Sequence, residues 1–230
     1  VGIPLSMRGS KRSISGRLVQ FIKWFIVYPD EQKLWLPFAI KAGHELLQKE
    51  RYNALISSSG PVTTHMIASA LKREMKIPWI ADFRDLWTQN HYYPYTKLRK
   101  VFEKRLELKT LRDADALVSV SEPLANKLAS LHKGKQVFAV PNGFDPDDIG
   151  SAPLTKRFTI TYTGQLYHGK RDPELLLRAI REMIKEGEME ENNIEIRFYG
   201  PFEYWLDQEI KRYHLEGVVR QNGIVSREIA

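Results

Sequence analysis

The sequence predicts an α/β protein of two domains, each built around a parallel sheet. Strand-like runs of β-branched and aromatic residues alternate with helical patterns through both halves of the 230-residue chain, and this alternation is typical of parallel sheets. Residues 146–153 are rich in proline, glycine and acid, which indicates a linker. We therefore expect one domain over residues 1–146 and a second over residues 147–230.

Composition and charge restrict the function. The chain carries a net charge of +7, and the surplus lies in residues 1–113, which hold 20 Lys and Arg residues against 10 acidic residues. A basic half favours an anionic ligand or surface, for which nucleic acid and membrane headgroups are the usual candidates. The absence of cysteine excludes disulfides and thiolate metal ligands and fits the cytoplasm. The sequence contains no apolar run of about 18 residues, so it predicts no membrane span.

The first helical pattern covers residues 14–28, in a segment with several cations and no acid. Two interpretations fit it. Such an amphipathic helix packs on its own domain in many proteins, or it lies on an anionic membrane surface with Trp24 and Tyr28 at headgroup depth. We keep residues 11–28 as a candidate membrane contact. The apolar face of this helix would consist of Ile14, Leu18, Phe21, Ile22 and Phe25.

A loop with hydroxyl groups and glycine follows the first predicted strand. It contains Ser59, Gly60 and His65 and leads into a helix that ends near Met75. Hydroxyls and glycine at a helix N-terminus either receive an anion or a sugar or simply cap the helix. His65, on an apolar face of that helix, is either a core histidine or a residue that lines a binding cleft.

A charged sequence follows the next strand. Asp82 and Asp85 flank Arg84 where the strand ends, between apolar neighbours. Charged groups in such a place are costly to desolvate unless they are paired or used. These side chains therefore either serve the function or form an internal ion pair that fastens the loop.

Residues 97–112 predict a surface helix whose Leu98, Phe102 and Leu106 face the core. Its cations, which are typical of a solvated face, are Lys97, Arg99, Lys100, Lys104 and Arg105. The other elements predicted in this half are a helix over residues 33–50 that Pro37 interrupts, strands over residues 53–57, 78–82, 116–120 and 136–140, and a helix over residues 122–131.

The opening strand of the second half leads to a candidate phosphate site. Residues 158–163 predict a strand, and Asp172 and Pro173 predict the N-cap and first position of a helix that ends at residue 186. Amides at a helix N-terminus beside cations favour an anion, whereas a strand–glycine–helix junction without a ligand is also common. The loop residues concerned are Gly164, Gly169, Lys170 and Arg171.

The remaining pattern is a strand over residues 194–199 closed by Gly200, a helix over 204–213, a strand over 218–220 and the start of a helix at 226–228. Because that last helix is unfinished, we expect the second domain to be incomplete. The chain opens with Val1 rather than methionine, and we expect the translation start to lie before it.

The chain resembles bacterial family 4 glycosyltransferases from about Trp35 to its end. The resemblance rests on five motifs in the family's order, which together are fairly specific although each alone is weak. The motifs are Asp82-Phe83-Arg84-Asp85-Leu86-Trp87, residues 114–121, residues 141–145, Tyr162-Thr163-Gly164 with Lys170, and Phe198-Tyr199-Gly200-Pro201.

This resemblance implies a GT-B architecture, in which two Rossmann-like domains face each other across a cleft. It implies a retaining enzyme that moves a sugar from a UDP- or GDP-sugar, without a metal or other cofactor. The second domain would bind the nucleotide-sugar. The first would bind the acceptor, a sugar or lipid-linked sugar of cell-surface polysaccharide or glycolipid synthesis, in the cytoplasm or at the inner face of the membrane.

The family's motifs also assign site residues. In the family, a glycine followed six residues later by a lysine holds the donor diphosphate, and Gly164 and Lys170 have that spacing. The family usually has arginine directly after this glycine, where the chain has Gln165, so we expect Arg171 to supply the second charge. The expected site residues are Asp82, Asp85 and Lys170 as catalytic residues, Gly164, Gln165, Lys170, Arg171 and Gly200 as donor-binding residues, and Ser59, Gly60, His65 and Arg84 on the acceptor side.

The resemblance leaves one alternative of a different class. By comparison with the family, we expect the first strand of the first domain to be missing before Val1. The glutamate pair that contacts the donor in the family would lie beyond Ala230, so we expect the chain to be inactive by itself. A non-catalytic module that binds a nucleotide or polyanion would have the same fold. A nucleic-acid binder is disfavoured, because no aromatic residues interleave with basic ones in an RNA-binding motif.

Overall fold

A computed structural model of the protein describes residues 28–93, 96–146 and 154–226. The chain forms two compact units, residues 1–143 and residues 144–230, called here the first and the second unit. Each unit has its own sheet, and all strand pairs in both sheets are parallel. The α/β class with parallel sheets in both halves is therefore confirmed. Most of the predicted linker, residues 147–153, lies outside the described residues.

The first unit contains a four-stranded sheet in the order β1-β2-β3-β4. Large apolar side chains of β2 and β3 and of the covering helices fill its core, in which Trp79, Phe83, Leu117 and Leu128 are fully buried. The strands are β1 (Leu55–Ser59), β2 (Trp79–Phe83), β3 (Ala116–Ser119) and β4 (Gln136–Ala139). The helices are α1 (Leu36–Lys49), α2 (Thr63–Met75), α3 (Lys97–Leu111) and α4 (Glu122–Leu131), with a 3-10 turn at Glu31–Trp35 before α1.

Two predicted details of this unit are corrected. Pro37 lies in the first turn of α1 rather than interrupting a helix, because proline lacks only an amide proton that has no helical partner there. Strand β1 begins at Leu55, two residues after the predicted start, and runs to Ser59. The predicted helix over residues 14–28 lies, up to residue 27, outside the described residues.

Helix α3 buries mainly a face that lies one residue along from the predicted one. Leu98 and Phe102 are 64% and 45% exposed, whereas Leu106 is half-buried and packs against the core as predicted. The side chains that α3 buries fully are mainly polar, and they include Glu103 and Glu107. The prediction that Leu98 and Phe102 face the core is therefore wrong, because hydrophobic periodicity takes no account of charged side chains that find partners in the interior.

The second unit contains a three-stranded sheet in the order β5-β6-β7. Strand β6 is the middle strand, and its Ile194 and Ile196 are fully buried together with Leu177, Leu206 and Leu215. The strands are β5 (Phe158–Thr163), β6 (Ile194–Tyr199) and β7 (Val219–Gly223). The helices are α5 (Glu174–Lys185) and α6 (Tyr204–Arg212), with a 3-10 turn at Glu191–Asn193.

The start of α5 differs from the prediction by one residue. Pro173 occupies the N-cap position and the helix begins at Glu174. Asp172 still caps the helix in the chemical sense, because its Oδ1 accepts a hydrogen bond from the Glu174 amide at 2.9 Å. Residues 227–230, where a further helix was expected to start, lie outside the described residues.

No helix in the described part of the chain is long and apolar enough to cross a membrane.

Candidate functional site

In the first unit, parallel pairing brings polar residues together where β1 and β2 end. Ser58 is aligned with Asp82 across the two strands, and the Ser58 hydroxyl donates to Asp82 Oδ2 at 2.7 Å. The neighbouring Ser59 is buried, and its hydroxyl donates to the Asp85 carbonyl at 3.3 Å. Three predicted site residues, Ser59, Asp82 and Asp85, therefore lie at one edge of the sheet. Gly60 follows directly and is exposed.

Arg84 and Asp85 are both exposed, and Asp82 is half-buried. No ion pair is found between Arg84 and either aspartate in the described ranges. The alternative in which an internal ion pair fastens the loop is therefore wrong. The Arg84 and Asp85 side chains are accessible, whereas Asp82 binds Ser58.

His65 lies inside the core and not on an accessible surface. It is fully buried, and its ring packs against Phe83 with a centroid distance of 4.6 Å. Its Nδ1 lies 2.7 Å from the Ser57 hydroxyl, which accepts a hydrogen bond from Trp79 Nε1 at 2.8 Å. Burial lowers the pKa of His65 to about 3. The expectation that His65 lines a cleft is therefore wrong.

Ser57 joins His65 to Trp79 inside the core. The Ser57 hydroxyl has two acceptor lone pairs and one proton, so it accepts from Trp79 Nε1 while it also binds His65 Nδ1. His65 Nε2 is buried and has no hydrogen-bond partner within the described residues.

The N-terminus of α2 already holds an anion, which belongs to the chain itself. Asp30 accepts from the Thr63 amide at 2.8 Å and from the Thr63 hydroxyl at 2.7 Å. A carboxylate in this position satisfies a free amide and opposes the positive end of the helix dipole. The interpretation in which local hydroxyls cap this helix is therefore wrong. The residue that does so lies 33 positions earlier in the chain.

Carboxylates of α3 hold the loop that follows β2 from beneath. Trp87 Nε1 donates to Glu103 at 3.0 Å, and the Thr88 amide donates to Glu107 at 3.1 Å. Glu103 also accepts from Arg99 Nε at 2.5 Å, within a pair whose two side chains are each 2% exposed. These carboxylate contacts were not predicted from the sequence. The four-residue spacing of Arg99, Glu103 and Glu107, which puts them on one helix face, was the signal that could have found them.

In the second unit, two glycines meet where β5 and β6 end. The Gly164 amide donates to the Tyr199 carbonyl at 2.8 Å, and Gly164 has a φ of +134°. A Cβ at Gly200 would lie 2.2 Å from the Gly164 carbonyl oxygen, which is far inside contact distance. Both positions therefore require glycine, one for its backbone conformation and the other for a close approach.

The loop between Gly164 and α5 is accessible and internally ordered. Gln165, Lys170 and Arg171 are exposed. The amides of Lys170 and Arg171 donate to the Tyr167 carbonyl at 2.9 and 2.8 Å, and the Arg171 guanidinium lies 5.8 Å from the centre of the Tyr167 ring. Three of the predicted donor-binding residues, Gln165, Lys170 and Arg171, thus lie in this loop with their side chains at the surface.

The Asp172 side chain binds two of the backbone amides in this loop. Its Oδ2 accepts from the Gly169 amide at 3.3 Å, while Oδ1 accepts from the Glu174 amide. Two donors that were expected to face an anion are therefore already bound to a side chain. An anion at this loop would have to rely on Lys170 and Arg171 more than on the helix N-terminus.

No cluster of three or more His, Cys, Asp or Glu side chains that could hold a metal ion occurs in residues 28–93, 96–146 and 154–226.

The fold resembles those of several solved proteins. HepE from Anabaena, in complex with UDP, superposes with a TM-score of 0.62 at 14% identity, over 84% of this chain and 52% of HepE. Sucrose-phosphate synthase from Thermosynechococcus elongatus gives a TM-score of 0.62 at 14% identity, over 86% of this chain and 52% of the synthase. TarM gives a TM-score of 0.55 at 12% identity, over 84% of this chain and 36% of TarM.

At these identities the superpositions show the fold alone, and the predicted GT-B-like fold class is confirmed. The chain spans about half the length of HepE and of sucrose-phosphate synthase. Comparison with curated protein sequences gives no match. The family model described as Glycosyltransferase Family 4 matches residues 6–148, which is more than half of the chain. The chain therefore belongs to glycosyltransferase family 4.

Proposed function

We propose that this chain is part of an enzyme that transfers a sugar from a nucleoside diphosphate sugar to an acceptor. Family membership supports the reaction class, and the UDP bound to HepE supports a nucleotide-linked donor. The observation that carries the proposal is the exposed turn between β5 and α5, where Lys170 and Arg171 follow Gly164. We assign the donor diphosphate to this turn, with Gln165 and Gly200 beside it.

The chemistry of sugar transfer explains why cations are needed at this turn. As the glycosidic bond breaks, the departing nucleoside diphosphate gains negative charge. Fixed cations stabilise that charge more in the transition state than in the bound substrate, which accelerates the reaction. Because Asp172 occupies two nearby amides, we assign this role to the side chains of Lys170 and Arg171.

The acceptor belongs, in this proposal, to the edge of the first sheet. Asp85 is exposed and Asp82 already accepts a serine hydroxyl, so a carboxylate at this edge is suited to orient an acceptor hydroxyl. Gly60 and Arg84 are exposed beside them. The proposal has three further parts. The reaction retains the configuration of the sugar, the acceptor belongs to cell-surface polysaccharide or glycolipid synthesis, and the enzyme works at the cytoplasmic face of the membrane.

Calorimetric titration with UDP and GDP tests the donor assignment. Lys170→Ala removes one charge-assisted contact, worth about 1.5 to 3 kcal/mol, so the dissociation constant of the preferred nucleotide should rise by about 10- to 150-fold. Lys185→Ala is the matched control, because Lys185 is an exposed lysine in the last turn of α5. Equal affinities for both variants would show that Lys170 does not hold the diphosphate.

Transfer activity separates an enzyme from a module that only binds nucleotides. Asp85→Asn should lower the rate of nucleoside diphosphate release from a nucleotide-sugar in the presence of acceptor, and it should leave UDP affinity unchanged. Nucleotide binding without release for any donor sugar, in the protein that contains this whole chain, would favour the binding module instead.

A further inference from the structure

Helix α3 presents an unusual surface to solvent. Nine of its residues are exposed, and every one is either cationic or large and apolar. The apolar members are 64% exposed at Leu98, 50% at Val101, 45% at Phe102 and 38% at Leu108. The cationic members are Lys97, Lys100, Lys104, Arg105 and Lys109. We call these nine residues the α3 face.

The absence of acid from this face has a structural cause. The only two acidic residues of α3, Glu103 and Glu107, are turned inward and bind Trp87 and Thr88. The helix therefore carries five cations outward with no exposed carboxylate of its own to neutralise them. The acid that follows the helix, Asp113, is bound by Arg73 and Arg112.

The apolar residues of this face lie along one side of the helix. Leu98 is three and four residues from Val101 and Phe102, and Leu108 follows Val101 after seven residues, or about two turns, so the four side chains form an apolar stripe. Arg105 and Lys109 fall within the stripe, and their aliphatic stems can lie along apolar surroundings while the charged ends reach out of them. Exposed Leu and Phe side chains beside Lys and Arg suit contact with the boundary between lipid chains and headgroups.

Charge selects among the partners that could cover the stripe. Residues 1–27 hold Arg8, Lys11, Arg12, Arg17 and Lys23 and no acid, so they would bring further positive charge to a cationic face. A second copy of the chain, packed face to face about a two-fold axis, would oppose the same cations to one another. A lipid bilayer with anionic headgroups offers negative charge to the cations of the α3 face and an apolar interior to its Leu, Val and Phe side chains.

We propose that the α3 face docks the protein on an anionic lipid bilayer. The helix lies parallel to the membrane plane, the apolar stripe enters the headgroup boundary, and the cations contact lipid phosphates. The proposal rests on α3 alone and holds whether or not residues 11–28 also touch lipid. It is independent of the donor and acceptor assignments.

Vesicle flotation measures this docking directly. Vesicles of phosphatidylcholine with added phosphatidylglycerol should carry the protein upward, and vesicles of phosphatidylcholine alone should carry far less. Replacing Lys97, Lys104 and Arg105 together by Gln should weaken partitioning roughly fivefold for each cation removed. The control, Lys41→Gln with Lys49→Gln, removes exposed cations from α1 and should weaken it by much less.

A single label reports which surface enters the lipid. The chain has no cysteine, so Phe102→Cys provides one attachment site for a nitroxide, and Phe38→Cys provides a control on α1, where Phe38 is 73% exposed. On anionic vesicles the label at position 102 should gain access to dissolved oxygen and lose access to a water-soluble nickel complex. The label at position 38 should be unaffected.

Three results would overturn the proposal. One is unchanged flotation of the triple Gln variant, and another is a label at position 102 that stays in water on vesicles. The third is α3-dependent binding of the wild type to duplex DNA or to itself, with no binding to anionic vesicles. Because all the substituted residues are exposed, far-ultraviolet circular dichroism should show that each variant folds.

Discussion

Removing one partner of the buried Arg99–Glu103 pair should strongly destabilise the first unit. Both side chains are 2% exposed, and Glu103 also holds the Trp87 indole. Glu103→Leu leaves a buried guanidinium without its carboxylate, and such losses cost about 3 to 5 kcal/mol. Arg99→Met should cost a similar amount. The double variant should be less destabilised than the sum of the two, because no uncompensated charge then remains in the interior.

Urea unfolding followed by tryptophan fluorescence measures this effect, since four of the five tryptophans lie in the first unit. Glu74→Leu is the matched control. Glu74 makes an ion pair with His44 in which the two side chains are 53% and 35% exposed, and exposed pairs contribute about 0 to 1 kcal/mol. Two results would contradict this prediction. One is a Glu103→Leu variant that is as stable as Glu74→Leu, and the other is a double variant whose loss of unfolding free energy equals the sum of the two single losses.

Two further predictions concern His65 and Gly200. Because burial lowers the pKa of His65 to about 3 from 6.5, the unfolded state binds the proton first as the pH falls below 6.5. The wild type should then lose about 2 kcal/mol of stability between pH 7 and pH 5 that His65→Leu does not lose, as followed by urea unfolding at each pH; parallel pH profiles would contradict this. Gly200→Ala places a Cβ 2.2 Å from the Gly164 oxygen and should destabilise the second unit by about 1 to 3 kcal/mol, measured by Trp205 fluorescence. Gly217→Ala, where nothing lies within 4 Å, should change stability by less than about 0.5 kcal/mol, and equal losses for the two variants would count against the close approach.

The parallel sheets were predictable because their strands are short, apolar and bounded by glycine, proline or polar residues. Strand β5 runs over Phe158–Thr163 as predicted. The neighbourhood of Ser59, Asp82 and Asp85 was predictable too, since the carboxyl ends of adjacent parallel strands meet at one edge. In both cases the signal is local in sequence, or follows from topology alone.

The predictions that failed depended on contacts between distant parts of the chain. Leu98 and Phe102 were wrongly assigned to the core of the first unit. Glu103 and Glu107 take the buried positions because they bind groups of a loop that precedes the helix, and hydrophobic periodicity does not reveal such partners. His65 was assigned either to the core or to a cleft, and its contacts with Ser57 and Phe83 of the neighbouring strands decide for the core. The roles of Lys170, Arg171, Asp82 and Asp85 stay predictions, since they concern ligands rather than folding.

Asp30 ties the beginning of the described chain to the start of α2. Its two oxygens hold the Thr63 amide and hydroxyl, and one of them also accepts from the Gln32 amide at 3.0 Å. Any fragment that starts after residue 30 would expose the positive end of α2 without a counter-charge. Expression boundaries drawn by sequence similarity alone should therefore keep this aspartate, which shares no motif with the helix that it completes.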